Sequence, residues 1–201
     1  MGNPNNLELN KGDQFIIGLD ISGSMAATDC PGGLSRINYT LETVRTFVRE
    51  AAKWDPDGVS FYPFGATVHA FPDLKPEDID TKLVSIKLEG ATMTHLAVNR
   101  AYAEHKAKNN EQTFLMVFTD GAPSDPDALR NEIVRITNDV KDAGEFRIAF
   151  ITVGERSAEL DKYLTDLDDN LTSGGAKYDI VDVKRLEEVD FMAAVNGALT
   201  D

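Results

Sequence analysis

Cysteine is almost absent from this 201-residue chain, with Cys30 the single example. No internal disulfide can form, and a thiolate zinc cluster is excluded. Cations are scarce: 20 Lys and Arg face 34 Asp and Glu, for a net charge of −14. Affinity for phosphate backbones rests on clustered Lys and Arg, so this balance argues against nucleic acid as a partner. It equally disfavours an anionic membrane surface. No apolar run reaches the ~18 residues that span a bilayer. The opening "MGNPNNLELNKGDQ" lacks the basic and apolar regions of a secretion signal. Asn6 breaks the myristoylation pattern that Gly2 would begin. These absences read as a cytoplasmic protein.

What is present fits one well-buried domain. The hydrophobic fraction is 42% and the aromatic fraction 8%, enough for a single core in a chain of this length. We read residues 1–12 as a flexible tail and 13–201 as one domain. "QFIIGLD" (14–20) and "TFLMVFTD" (113–120) are continuous apolar runs, the mark of strands buried on both faces. "VSFYPF" (59–64), "FRIAFITVG" (146–154) and "YDIVDV" (178–183) read as further strands. Pro63 implies a bulge or strand end. "TVHAF" (67–71), reached through the tight turn at Gly65, reads as a short antiparallel strand. Helical periodicity marks 35–54, 94–108 (through Leu96, Val98, Ala101 and Tyr102), 125–142, 158–168 and 185–199. Ser35 is a candidate N-cap, and "KPEDIDTKLVSI" (75–86) reads as a short helix and loop. Strands alternating with helices predict an α/β fold: a Rossmann-like, doubly wound, mostly parallel sheet with helices on both faces. Ligands in such sheets bind beyond the carboxyl ends of the strands, where strand order reverses. If the two Asp-terminated strands are neighbours there, Asp20 and Asp120 converge.

The oxygen-bearing side chains cluster in three loops. "DISGS" places Asp20, Ser22 and Ser24 at alternate positions beyond a strand. With 21 Asp and 8 Ser in the chain, roughly 0.03 chance matches to Asp-x-Ser-x-Ser are expected. The segment fits a capped turn, a phosphatase nucleophile loop or a metal site. Two hydroxyls and a carboxylate form a hard donor set suited to Mg²⁺, Mn²⁺ or Ca²⁺. "EGATMTH" (89–95) offers Thr92 and Thr94, either as donors or as helix caps. "FTDGAPSD" (118–125) offers Asp120, with Ser124 or Asp125 placed to cap the next helix.

In this order and spacing the three segments resemble the von Willebrand factor type A domain with its metal-ion-dependent adhesion site, across roughly residues 13–200. The resemblance implies that Asp20, Ser22, Ser24, Thr92 and Asp120 surround one divalent ion, Mg²⁺ foremost and Mn²⁺ or Ca²⁺ as alternatives. It implies serines that bind the metal directly and aspartates that act largely through water. "GAT" stands where the family has Gly-Gly-Thr, which favours Thr92 over Thr94. The resemblance also implies a sheet with one short antiparallel edge strand. The lack of stalk, signal or disulfide points toward a resemblance to the intracellular bacterial-type members, some similar to proteins of tellurium-resistance or stress gene clusters and others working beside AAA+ ATPases. Two carboxylates leave the ion electrophilic, and five protein groups leave a position open. The implied role is binding, with no catalysis: a partner protein's Asp or Glu completes the metal shell.

An Mg-dependent phosphatase with Asp20 as nucleophile is the alternative. That chemistry wants a second acid two residues later, where Ser22 stands. No Gly-x-Ser-x-Gly elbow supports a serine hydrolase. The loop 25–36, longer than a minimal link, reads as surface, although Asp29 or Arg36 could face a ligand. His69, assigned to the edge strand, His95 and His105 have no metal-ligand spacing. The acid-rich 161–170 lacks the pattern of an EF-hand and reads as a solvated helix face.

Overall fold

The computed structural model describes residues 9–108, 112–155 and 157–197. The long apolar runs become β1 (Gln14–Asp20), β2 (Val59–Phe64), β4 (Thr113–Thr119) and β5 (Phe146–Thr152), every residue of which is buried. The short β3 (Phe71–Leu74) and β6 (Val181–Arg185) lie at the edges of the sheet. Strand order is β3-β2-β1-β4-β5-β6. Every pairing is parallel except β2 with β3.

Burial on both faces follows from the alternation of side chains along a strand. Phe15, Ile17 and Leu19 of β1 enter one core, with α1 (Arg36–Ala51), α2 (Ile79–Val84) and α6 (Phe191–Gly197). Ile16, Leu115, Val117, Ile148 and Phe150 enter the other, with α3 (Thr94–Lys108), α4 (Pro126–Asp139) and α5 (Ala158–Asp169). The expected doubly wound α/β sheet, with its antiparallel edge strand, is the fold observed. Ser35 caps α1 by accepting the Asn38 N–H at 3.3 Å, and Asp125 caps α4 by accepting that of Ala128 at 2.9 Å. At the start of the described chain, Leu9 packs on the first core and the Gly12 N–H donates to the Trp54 carbonyl.

Several boundaries differ from the sequence reading. The edge strand is Phe71–Leu74 and not 67–71: Val68 makes only an isolated bridge to Phe64, and His69 precedes the strand. Pairing resumes where Phe71 stacks on Phe61, ring centroids 6.3 Å apart. Pro63 stands one residue from the end of β2, as the strand-end alternative has it, and causes no bulge; the irregularity falls between Val59 and Phe61. Odd-numbered residues of β2 face β3, which ends short of Pro63, so the missing N–H is not needed there. The last strand starts at Val181, three residues later than 178. The final segment is a 3-10 turn at Leu186–Glu188 followed by α6; residues 198–199 of the expected 185–199 helix, and 1–8 of the expected tail, lie outside the described residues. Leu96 is 39% exposed, because the inner stripe of α3 runs through Thr94, Ala97, Val98, Ala101, Tyr102 and His105. Leu96 sits about 100° away from Ala97 around the helix.

Candidate metal centre

β1 and β4 are adjacent, and they are the pair at which strand order reverses. Leu19 lies beside Phe118 in the register, so Asp20 ends one strand next to Thr119, and Asp120 follows immediately. The sequence-level condition for convergence is met.

Asp20 is 0% exposed. Its Oδ1 accepts the Ser22 N–H at 2.8 Å, and its Oδ2 accepts the Thr119 hydroxyl at 2.7 Å. The first bond is an Asx-type turn, so part of the ordinary-turn reading holds. It does not account for the serines. Ser22 precedes a 3-10 turn (Gly23–Ala26) without capping it through its side chain. Its Oγ lies 3.0 Å from that of Ser24, and Ser24 donates to Asp120 Oδ1 at 2.8 Å. Asp20, Ser22, Ser24 and Asp120 thus form one hydrogen-bonded chain across two loops.

Thr92 joins them indirectly. The 89–92 segment is zipped to the exit of β1 by the Glu89 N–H, which donates to the Ile21 carbonyl at 2.7 Å. Its far end is held by Ser124, whose Oγ accepts the Thr92 N–H at 2.8 Å. Ser124 therefore braces a neighbouring loop and does not cap α4, which Asp125 does. Thr92 is half-buried. Thr94 is 2% exposed and turns inward at the start of α3, where its hydroxyl donates to the Thr92 carbonyl at 3.4 Å. Of the two threonines, Thr92 stands at the rim.

The donor set fits a hard divalent cation. Burial pushes the Asp20 carboxyl up to about 6; hydrogen bonds from Thr119 and Ser22 oppose that rise and the nearby Asp120 adds to it. Among the described residues no Lys, Arg or His pairs with Asp20. A buried carboxylate without a counter-cation is costly, and an ion among these oxygens would offset that cost. The groups are two carboxylates plus hydroxyls; correspondingly, the described residues contain no cluster of three or more His, Cys, Asp or Glu placed to hold a metal.

The loop that reads as surface in the sequence, with Asp29 or Arg36 able to face a ligand, lies against the site; Thr119 carries no signal in the sequence, and Ser124, a cap candidate there, is a loop brace. Arg36 Nη1 donates to Asp120 Oδ2 at 2.9 Å. Its Nε and Nη2 fork Asp29 at 2.8 and 2.5 Å, holding the Asp29 carboxyl far below the usual range. The 25–36 loop thus folds onto the site. The available signal was Arg36 itself, a cation on the first turn of a helix, where the dipole disfavours it. Cys30 in this loop is 6% exposed, and burial raises its thiol. His69 pairs with Glu89 at 2.5 Å, and His105 is buried at the opposite end of the sheet, against Thr113.

The von Willebrand factor type A domain model matches residues 16–190. No curated protein matches the chain. Among solved structures, the manganese-loaded TRAP protein of Plasmodium vivax superposes with TM-score 0.60 at 13% identity, over 92% of this chain and 72% of that one. The PilB minor pilin of Streptococcus sanguinis gives 0.63 at 11%, over 98% and 61%. A von Willebrand factor type A protein of Catenulispora acidiphila gives 0.54 at 15%, over 92% and 41%. The chain spans less than two thirds of the latter two. At these identities the structures share the fold alone, but the family model covers all three site loops and the sheet that positions them. The chain belongs to the von Willebrand factor type A domain family.

Proposed function

We propose that this domain is a divalent-cation-dependent protein-interaction module that captures an acidic side chain of a partner. The observation that carries the reading is the Asp20–Ser22–Ser24–Asp120 chain at the switch point of the sheet. Asp20 and Thr119 anchor the first loop from beneath, Ser22 and Ser24 present hydroxyl oxygens, Asp120 orients Ser24, and Thr92 supplies a further hydroxyl at the rim. Mg²⁺ is the cation proposed, with Mn²⁺ or Ca²⁺ as substitutes; the manganese of the Plasmodium vivax TRAP protein is in keeping with a hard ion. When bound, the ion supplies a Lewis-acidic point for a carboxylate oxygen. With only two site carboxylates, much of its positive charge is left for the partner's acid.

Nothing in the site supports the phosphatase alternative. Asp20 is fully buried and each of its oxygens already accepts a hydrogen bond from the protein, a poor disposition for a nucleophile that must reach an incoming phosphoryl group.

The test is capture of partner proteins by the immobilised chain in Mg²⁺ and in EDTA, with calorimetric titration of Mg²⁺ and Mn²⁺ alongside. Capture and ion binding are expected to disappear together in Asp20→Ala. Equal capture with and without the chelator refutes the reading.

A further inference from the structure

We propose that Arg36 is a resident cation that competes with the divalent ion for Asp120, and so sets the affinity of the site for metal. This rests on the divalent-cation reading above and extends it to a residue outside the five donors that reading names.

Arg36 is built into the site. It is the first residue of α1, yet its side chain folds back over the loops and is only 14% exposed. Each of its three guanidinium nitrogens has a carboxylate acceptor: Nη1 on Asp120, Nε and Nη2 on Asp29. Asp29 is itself fixed, since its Oδ2 accepts the Glu155 N–H at 3.3 Å. Gly154 lies directly against the guanidinium: a Cβ there would fall 2.3 Å from Arg36 Nε. Its φ of +77° is also one that side chains disfavour. The loops after β1, β4 and β5 thus meet on Arg36, held by a planar fork that lysine cannot reproduce.

The contested group is Asp120, whose side chain is 1% exposed. Its Oδ1 takes the Ser24 hydroxyl and its Oδ2 takes Arg36. Without metal, Arg36 is the cation that makes burial of this carboxylate tolerable. With metal, the same guanidinium places like charge next to the ion. Binding of one cation then weakens the other, and the coupling is reciprocal. Arg36 lowers metal affinity, and at the same time neutralises part of the Asp120 charge that would otherwise quench the ion.

The experiment titrates Mn²⁺ into the full chain, with free Mn²⁺ read by electron paramagnetic resonance and melting temperature recorded with and without the ion. Variants are Arg36→Gln, Arg36→Met, which keeps an aliphatic stem against Gly154 should the glutamine variant fold poorly, and Arg36→Lys. The neutral variants are expected to melt lower than wild type without metal, yet to bind Mn²⁺ on the order of tenfold more tightly and to gain more melting temperature from it. Arg36→Lys, with its charge retained, stays near the wild-type affinity. Mn²⁺ binding by a neutral variant but not by wild type also supports the proposal. A purely structural role gives the reverse pattern, with stability and Mn²⁺ affinity falling together. If wild type binds Mn²⁺ and the neutral variants bind it no more tightly, the proposal is overturned while the cation reading stands. If neither wild type nor variants bind, both fall.

Discussion

Ser124 Oγ receives the backbone N–H of Thr92 at 2.8 Å, so the loop that carries Asp120 also fixes the loop that carries Thr92. The Ser124 N–H returns a bond to the Thr92 carbonyl at 3.0 Å. This two-way clasp separates Ser124 from its neighbour Asp125, whose role is to cap α4. Ser124→Ala is expected to cost about 0.5–1 kcal/mol of stability and to weaken Mn²⁺ binding several-fold, because Thr92 loses its brace. Asp125→Ala should cost about 1 kcal/mol through the lost cap and leave Mn²⁺ affinity unchanged. Urea denaturation paired with Mn²⁺ titration separates the two.

Ala91, in the segment where the family has a second glycine, adopts φ +62°. A left-handed alanine costs about 1–2 kcal/mol, which exceeds the roughly 0.5–1 kcal/mol entropic penalty of glycine. Ala91→Gly is therefore expected to stabilise the domain by about 0.5 kcal/mol in urea denaturation. A destabilised variant would show that the freedom glycine adds to the unfolded chain outweighs the left-handed strain of Ala91.

Loading the site should stabilise the fold by mass action. At an Mg²⁺ concentration one hundred times the dissociation constant, the gain is about 2.7 kcal/mol. A thermal melt of wild type should shift upward with Mg²⁺ and return with EDTA, and Asp20→Ala should show no shift. A melt of wild type indifferent to Mg²⁺, Mn²⁺ and Ca²⁺ would describe a domain that has lost its ion.

His105 gives the domain an acid sensitivity far from the site. It is 2% exposed, with Nδ1 at 2.9 Å from Thr113 Oγ1 and Nε2 at 3.1 Å from Glu145. Burial lowers its pKa; Glu145 opposes the shift, while Lys106 and Lys141 reinforce it. A lowered folded pKa means that the unfolded chain binds the proton more readily. The stability His105 contributes is thus complete above the unfolded value of about 6.5 and is lost as pH falls below it. The slope from this one group cannot exceed about 1.4 kcal/mol per pH unit. Chemical denaturation from pH 7.5 to 5 should show the decline, and His105→Gln should flatten it.

Strands β1 and β4 were legible because strands covered on both faces must be apolar at every position. Phe15 to Leu19 and Phe114 to Phe118 announce themselves without any knowledge of what covers them. The edge strand was harder. Phe71 to Leu74 contains Pro72 and is paired on one side only, so local pattern favoured 67–71, and only the stacking of Phe71 on Phe61 places it. Leu96 misled for a similar reason: an apolar residue adjacent to a buried stripe looks periodic until the helix has a face to rest on.

The sequence by itself determined the α/β alternation, the Asp at the end of β1 and just beyond that of β4, and the hydroxyls spaced to join them, since these depend on local propensity and on chemistry within a few residues. The tertiary structure decided which groups meet. Thr119 under Asp20, Ser124 under Thr92, and Arg36 between Asp29 and Asp120 are contacts over sequence separations of 99, 32, 7 and 84 residues. Strand order creates the two longest of them by setting the carboxyl ends of β1 and β4 side by side, and no short-range pattern encodes that.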